Sequence, residues 1–152
     1  MNLNPVFVDY DNTFLAKSWL WLNDPEIKKL TLTPDFSQDD QKDWFEKLPQ
    51  KSDYLIWGVK INDEPIGVCG IKNLTEKEGE YWGYIGEKQF WNKGIGSKIL
   101  DHIFVECKKR NIEYIFLKVW NQNLRALKLY EKYGFKIYQE AGETILMRKK
   151  VG

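Results

Sequence analysis

Two glycines begin the longest amphipathic segment of the chain, and their position suits the binding of an anion. Gly94 and Gly96 precede apolar residues that recur with helical spacing from Ile95 to about Arg110. The first N–H groups of a helix have no partner within it and carry the positive end of its dipole. Glycine lets a phosphate approach those groups because it has no Cβ, so a pyrophosphate is the expected ligand. Taken alone, a short Gly-x-Gly favours the simpler interpretation of tight packing between a helix and a strand.

A second pattern lies downstream, directly after a stretch that is typical of a buried strand. Asn123, Tyr130 and Gly134 stand at fixed offsets there, and Gly134 suits the left-handed position just beyond a helix. Packing offers an alternative for each side chain. Tyr130 is also typical of a core aromatic on the buried side of a helix, and Asn123 of a helix cap.

The elements that position these patterns follow from hydrophobic periodicity, capping residues and turn signals. Helices are predicted at 14–22, from residue 25, at 37–48, 95–110 and 124–133. Strands are predicted at 5–10, 54–61, 65–74, 81–86, 113–120, 135–139 and 144–148. Antiparallel strands followed by strand–helix–strand–helix–strand predict an α/β or α+β fold with a mixed sheet and flanking helices. We find no repeat or linker, so residues 1–152 are predicted to form one domain.

Composition excludes several classes of function. The 152 residues carry 23 Lys and Arg against 22 Asp and Glu, which gives no basic excess for binding nucleic acid. No apolar run approaches the ~20 residues of a membrane span, and the first 25 residues resemble no secretion leader. Cys69 and Cys107 lie in hydrophobic segments without metal-ligand spacing, and His102 is the single histidine. We therefore expect a cytoplasmic protein with reduced thiols and no metal, nucleic-acid or membrane partner.

Both patterns together, in this order, resemble the GNAT superfamily of acetyl-coenzyme A-dependent N-acetyltransferases. The resemblance covers roughly residues 80–135 and implies a GNAT-like, mostly antiparallel central sheet with acetyl-coenzyme A as co-substrate. The family signature is Gln/Arg-x-x-Gly-x-Gly/Ala, and here Trp91 stands at its first position. By resemblance, the coenzyme would be bound by Tyr84, Ile85, Gly86, Trp91, Asn92, Lys93, Gly94, Ile95, Gly96, Ser97 and Asn123.

Attack of a neutral amine on a thioester needs an oxyanion donor, a proton sink and a proton for the thiolate. A backbone N–H around Tyr84 or Ile85 is a candidate oxyanion donor. Tyr130 matches the family tyrosine that faces the coenzyme sulfur, and a phenol with a pKa of about 10 can protonate a thiolate. Glu80 stands nearest to the strand carboxylate that related transferases use as a base.

Other titratable groups are weaker candidates for the proton sink. Tyr81 remains an alternative because the strand register is uncertain by one residue. Glu87 is expected to be a solvated loop carboxylate, and His102 a packed imidazole. A bound amine with a lowered pKa would need no dedicated base.

The acceptor amine would be selected by the first helices, about residues 13–50, where Trp19, Trp21 and Trp44 concentrate. Their rings, together with Tyr81, could stack on a base or sugar. Trp19 and Trp21 are two residues apart and cannot share a helix face, so one is expected in the core and the other at the rim. The stretch after Trp21 resembles ribosomal-protein and nucleotide-sugar acetyltransferases, with Leu22 where arginine is frequent.

The resemblance therefore favours a small-molecule amine, in particular a nucleotide-linked amino sugar, as the acceptor. Protein N-terminal acetylation is one alternative, and acetylation of a polyamine or drug is another. The acidic run Asp35, Asp39, Asp40 and Asp43 could serve a polyamine, although it also suits the first turn of a helix. An acetyl-coenzyme A-binding sensor is the non-enzymatic alternative, and the aromatic excess is also typical of a homodimer interface.

Overall fold

The computed structural model describes residues 3–152, in which seven strands form one sheet. The strands are β1 (Val6–Asp9), β2 (Leu55–Ile61), β3 (Glu64–Lys72), β4 (Glu78–Ile85), β5 (Tyr114–Trp120), β6 (Lys136–Ala141) and β7 (Thr144–Lys150). Their order across the sheet is β1-β2-β3-β4-β5-β7-β6. Only the β4–β5 pair is parallel, whereas the other neighbouring pairs are antiparallel. The mixed, mostly antiparallel sheet predicted from the sequence is confirmed.

Five α-helices flank the sheet, and side-chain caps fix where most of them begin. They are α1 (Asn12–Asn23), α2 (Pro25–Leu30), α3 (Gln38–Lys47), α4 (Ile95–Lys109) and α5 (Leu124–Lys132). Asp11 and Asp24 accept backbone N–H groups at the starts of α1 and α2. Ser37 and Asp40 form a reciprocal capping box at the start of α3. Short 3-10 turns cover Leu48–Gln50 and Lys88–Phe90.

The helices divide between the two faces of the sheet and build a separate apolar cluster on each. On one face, called the α4 face, α4 and α5 pack against inward residues of the strands, among them Cys69, Tyr81 and Leu117. On the other, called the α1 face, Phe14, Trp21 and Ile27 surround Val68 of β3, with Trp82 and Tyr84 at the edge. Successive side chains of β4 therefore point to different faces, as strand alternation requires.

The parallel strands β4 and β5 pair only where they begin. Their register covers Glu78↔Tyr114, Gly79↔Ile115 and Glu80↔Phe116, and no pairing follows. Beyond Glu80 the strands diverge, so part of β4 lacks a neighbour on this side. The divergence opens a gap through the sheet between the α4 face and the α1 face.

Two local expectations can be compared with the structure. β4 begins at Glu78 and not at residue 81, because the turn closes earlier, with the Thr75 N–H donating to the Glu78 carbonyl at 2.9 Å. Cys69 and Cys107 are buried free thiols, as predicted, and burial raises the pKa of Cys107 to about 12.

Residues 3–152 contain neither a bilayer-spanning helix nor a cluster of metal ligands. No helix in this range is long and apolar enough to span a bilayer. The same residues contain no group of three or more His, Cys, Asp or Glu side chains that could hold a metal ion.

Candidate active site

A cavity of about 840 Å³ occupies the gap between β4 and β5 and continues onto both faces of the sheet. On the α4 face it reaches the start of α4 and the α5 residues Asn123, Arg125 and Tyr130. On the α1 face it extends between the sheet and residues 30–34, beside α3. Two ligands could thus enter from opposite faces and meet in the gap. A cavity of this size falls in the range of small-molecule sites.

The start of α4 presents backbone N–H groups to this cavity. Gly94 precedes the helix in the left-handed conformation, with φ of 79°, and no side chain caps the helix. A Cβ on Gly94 would meet nothing within 4 Å, so the space beside these groups is open. Gly96 has a second role, because its Cβ would lie 3.1 Å from Leu129 Cδ2 of α5. Both interpretations of the glycine pair, anion binding and tight packing, therefore have a geometric basis.

The end of β4 is held so that Ile85 faces the gap. The Gly86 N–H donates to the Ile66 carbonyl of β3 at 2.7 Å, whereas the Ile85 carbonyl accepts from Trp91 Nε1 at 2.8 Å. Consecutive residues of a strand direct their backbone groups to opposite edges, so the Ile85 N–H also points away from β3. This places a backbone donor at the point where the two faces communicate.

Nine of the eleven predicted coenzyme-binding residues line the cavity. They are Tyr84, Ile85, Trp91, Asn92, Gly94, Ile95, Gly96, Ser97 and Asn123. Gly86 and Lys93 lie outside the lining. Gly86 instead packs directly against the Trp21 ring. A Cβ added at Gly86 would lie 2.0 Å from a carbon of that ring, so only glycine fits there. Asn123 also caps α5, with its Oδ1 accepting the Ala126 N–H at 3.3 Å.

Tyr130 reaches the cavity from α5 on the α4 face. Its ring packs edge-on against Tyr81 and Phe135, with centroid distances of 6.3 and 5.8 Å. Burial raises the pKa of the Tyr130 phenol to about 12. Among residues 3–152 its hydroxyl has no hydrogen-bond partner, so the proton it carries is available to a ligand.

Glu80 lies on the α1 face, outside the lining of this cavity. Its carboxylate accepts from Asn73 Nδ2 at 3.3 Å and lies 3.7 Å from Lys72 Nζ. It lines a smaller neighbouring cavity of about 260 Å³, which shares Lys118 with the large one. Asp40 is the carboxylate that lines the large cavity, and the Ser37 hydrogen bonds at the capping box hold its pKa below the usual range.

The predicted acceptor-binding aromatics divide into two groups. Trp44 and Tyr81 line the cavity, whereas Trp19 and Trp21 do not. Trp21 is only 5% exposed, and Trp19 packs edge-on against Phe36 nearer the surface, which confirms that one lies in the core and the other at the rim. The structure therefore gives these two tryptophans packing contacts in place of a position on the cavity wall.

The expectation that Glu87 is a solvated loop carboxylate is wrong. Its Oε2 accepts the Trp21 indole N–H at 2.6 Å, across a separation of 66 residues. The packed imidazole is confirmed, because His102 stacks on Phe7 with a centroid distance of 3.8 Å and meets Trp57 edge-on.

Several cavity residues were missed by sequence reasoning. Ser18 of α1 is 2% exposed and accepts hydrogen bonds from Tyr10 at 2.8 Å and Tyr84 at 3.2 Å, which fixes two aromatic walls. Lys72 of β3 and Lys118 of β5 point to the α1 face and bring positive charge to the wall. Strand alternation counted back from the buried residues could have found both lysines.

These features fit acetyl-coenzyme A on the α4 face. The uncapped α4 N-terminus suits a pyrophosphate, the unpaired edge of β4 suits an amide-bearing arm, and the Tyr130 hydroxyl is free at the gap. The chemistry that the coenzyme supplies there is an acetyl thioester.

Known proteins of similar sequence and structure support this assignment. The chain is 27% identical over 136 residues to the acetyltransferase PseH of Campylobacter jejuni, covering 88% of this chain and 84% of that protein. The crystal structure of C. jejuni N-acetyltransferase PseH with acetyl coenzyme A superposes with a TM-score of 0.75 at 21% identity, covering 96% and 98% of the chains. A domain from Methanocaldococcus jannaschii superposes with a TM-score of 0.86 at 18% identity, covering 98% and 99%.

The model of the acetyltransferase (GNAT) family matches residues 17–135. This range includes the diverging part of β4, the α4 N-terminus and α5, which together form the coenzyme side of the cavity. Sequence, geometry and relatives therefore agree, and the chain belongs to the GNAT family of N-acetyltransferases, with acetyl-coenzyme A as its co-substrate.

Proposed function

We propose that the acceptor is a nucleotide-linked amino sugar, whose amine receives the acetyl group. The observation that carries this proposal is the charge of the α1-face wall. Lys72 and Lys118 line it, and Asp40 on the same wall already accepts a hydrogen bond from Ser37. Lys72 lies 3.7 Å from the Glu80 carboxylate, whereas Lys118 has no ion-pair partner among residues 3–152. A wall with this balance of charge favours an anionic acceptor such as a sugar linked to phosphates.

The aromatic lining of the same wall supports a ligand with planar or ring-shaped groups. Tyr10, Trp44 and Tyr54 form a connected set, in which Trp44 meets Tyr10 edge-on at 5.7 Å and Tyr54 at 6.2 Å. Phe36 lines the cavity on the other side. Such rings bind bases and sugars by stacking, each contact contributing about 1–3 kcal/mol with a base.

A polyamine acceptor fits this wall less well, because polycations need carboxylates. Of the four aspartates that could have served one, only Asp40 lines the cavity. Asp35 pairs with Lys28, and its side chain is 95% exposed. Asp39 and Asp43 are exposed on α3. The acidic run therefore stabilises the start of α3, as expected for negative charge at a helix N-terminus.

Transfer requires residues that act on each side of the gap. The Ile85 N–H donates a hydrogen bond to the thioester carbonyl oxygen, where negative charge develops during the reaction. This role needs a backbone group and no side chain. Tyr130 holds the proton that the departing thiolate requires, since its raised pKa keeps the phenol protonated. Glu80, on the acceptor face, is the candidate that takes the amine proton, directly or through water.

Coenzyme A release, followed with a thiol reagent, tests the acceptor class. The panel is nucleotide-linked amino sugars, the matching free amino sugars, a peptide with a free N-terminal alanine, and spermidine. We expect kcat/KM for one nucleotide-linked sugar to exceed that of the free sugar by about tenfold or more, as expected if the lysines contact phosphate.

Lysine variants test whether the α1-face wall of the cavity contacts the phosphates of the acceptor. Lys118→Gln should raise KM for the nucleotide-linked sugar and leave KM for the free sugar unchanged, whereas Lys108→Gln at the exposed end of α4 should change neither. A preference for the peptide or for spermidine would contradict the proposal. Binding of acetyl-coenzyme A without turnover of any amine would instead support a sensor.

A further inference from the structure

We propose that Arg125 binds the pyrophosphate of the coenzyme and that Trp91 is the positioning residue that holds it there. The family signature has glutamine or arginine at the position of Trp91, so this loop lacks a polar side chain at its first residue. The structure places a cation against that same residue, coming from α5. The proposal is independent of which amine accepts the acetyl group.

Arg125 is the cavity-lining cation that comes from a helix of the α4 face, and it contacts Trp91, whose ring packs beside the α1-face cluster. Three cationic side chains line the cavity, and the other two, Lys72 and Lys118, lie on the α1 face. The Arg125 guanidinium carbon lies 5.4 Å from the centre of the Trp91 ring. No carboxylate of residues 3–152 lies within ion-pair distance of Arg125, so its charge is not neutralised by a neighbour. Guanidinium groups suit this role because they donate two parallel hydrogen bonds to phosphate oxygens.

Trp91 is itself fixed by two further contacts. Its Nε1 donates to the Ile85 carbonyl at 2.8 Å, which ties the ring to the end of β4. Lys88 Nζ lies 5.8 Å from the ring centre and also contacts Asp24 at 2.9 Å and Glu26 at 3.0 Å, which ties the ring to the start of α2.

A fixed ring restricts the long Arg125 side chain before the ligand arrives. Less side-chain entropy is then lost on binding, and Arg125 lines the same cavity as the uncapped start of α4. Trp91 therefore provides a platform, at the first position of the loop, for a cation from another helix.

Equilibrium binding of coenzyme A by calorimetry tests the proposal without any acceptor. Arg125→Gln should weaken binding about tenfold or more, the effect expected for charge-assisted hydrogen bonds. Trp91→Leu, which removes the platform, should weaken it by a similar factor. The double variant should lose little beyond Trp91→Leu alone, because Arg125 acts through the ring. Trp91→Phe keeps a ring under the guanidinium. Adding Arg125→Gln to the Trp91→Phe variant should therefore still weaken coenzyme A binding about tenfold.

Truncated probes identify the group that Arg125 contacts. The loss in Arg125→Gln should persist with 3′-dephospho-coenzyme A, which retains the pyrophosphate, and should fall below about twofold with pantetheine, which lacks it. Lys128→Gln is the matched control, since it removes the same charge from α5 at a residue outside the cavity lining. It should leave all three affinities unchanged.

Each remaining outcome would overturn the proposal. Binding of coenzyme A by Arg125→Gln within twofold of the native protein would show that the guanidinium does not contact the ligand. A loss that disappears with the 3′-dephospho probe would assign Arg125 to the 3′-phosphate. Equal losses with pantetheine would indicate general disturbance of α5, and additive losses in the double variant would separate Trp91 from Arg125.

Discussion

Tyr130 and Glu80, the two residues proposed to move protons, lie on opposite faces of the sheet in different surroundings. Tyr130 is enclosed by aromatic rings, and burial raises the pKa of its phenol to about 12. Glu80 lies among polar groups, beside Lys72 and Asn73. The apolar setting keeps the Tyr130 phenol protonated, as its proposed role of proton donor requires.

Tyr130→Phe should lower kcat about 100-fold or more while leaving coenzyme A affinity within about twofold. The hydroxyl has no partner within residues 3–152, so removing it should not change the melting temperature appreciably. In the native protein the pH–rate profile should show no basic limb from Tyr130 below about pH 11, because its pKa is about 12. A variant with native kcat would exclude the phenol as the proton donor.

Glu80→Gln distinguishes the two carboxylates near the acceptor. If Glu80 accepts the amine proton, the variant should lose kcat/KM by about 100-fold at pH 7 and recover part of it at higher pH, where more of the free amine is neutral. Asp40→Asn should change kcat little, because Asp40 already serves the capping box of α3. The reverse pattern would assign the proton sink to Asp40.

At the scale of elements, the site depends on where helices begin and where strands separate. α1, α2, α3 and α5 are capped by side chains, whereas α4 begins at Gly94 without one. The uncapped start faces the cavity formed where β4 and β5 stop pairing. The coenzyme can therefore take the place of the missing cap, and binding energy and helix stability are linked at this point.

Gly94 permits a direct measurement of this linkage. Gly94→Ala should lower the free energy of unfolding by about 1–2 kcal/mol, because φ of 79° is unfavourable for a residue with a Cβ. Gly94→Asn should recover much of that stability, since asparagine tolerates the left-handed region better. Its side chain would nevertheless occupy the open space beside the N–H groups. Gly94→Asn should therefore bind coenzyme A more weakly than the native protein. Recovery of both quantities together would show that the open space is not used by the ligand.

At the scale of the whole molecule, one half-buried histidine joins three elements at the β1 edge of the sheet. His102 of α4 stacks on Phe7 of β1 and meets Trp57 of β2 at 4.6 Å, and its Nε2 is buried without a partner. Burial lowers the pKa of His102, as do the charges of Lys109 and Arg110, while that of Glu106 opposes the shift. Protonation of His102 is therefore less favourable in the folded protein than in the unfolded chain.

The sign of the pH dependence follows from this shift. The unfolded chain binds a proton at His102 with a pKa of about 6.5, whereas the folded protein does so only at lower pH. Stability should be fully present above about pH 7 and should decrease as the pH falls from 6.5 through the folded pKa. Urea unfolding midpoints at pH 7.5 and 5.5 measure this decrease, and His102→Phe should reduce it. Since the chain contains one histidine, an unchanged decrease in His102→Phe would assign the effect to other groups.

The sequence by itself predicted the helices and strands, because these depend on short-range order. Helical spacing located α4, capping residues located α1, α2 and α3, and the fixed offsets from Asn123 to Gly134 located α5. The two glycines before α4 and the tyrosine within α5 belong to single continuous segments. Local periodicity and backbone propensity therefore placed them on their elements, whereas their proposed roles came from the resemblance to the GNAT family.

The tertiary structure alone decided which distant residues meet. The bond from Trp21 to Glu87 spans 66 residues, and it converts a predicted cavity aromatic and a predicted loop carboxylate into a packed pair. The divergence of β4 from β5 opens the cavity that Lys72, Lys118 and Arg125 line together. These contacts depend on how strands separate and helices pack across the sheet, which the spacing of residues along one segment does not specify.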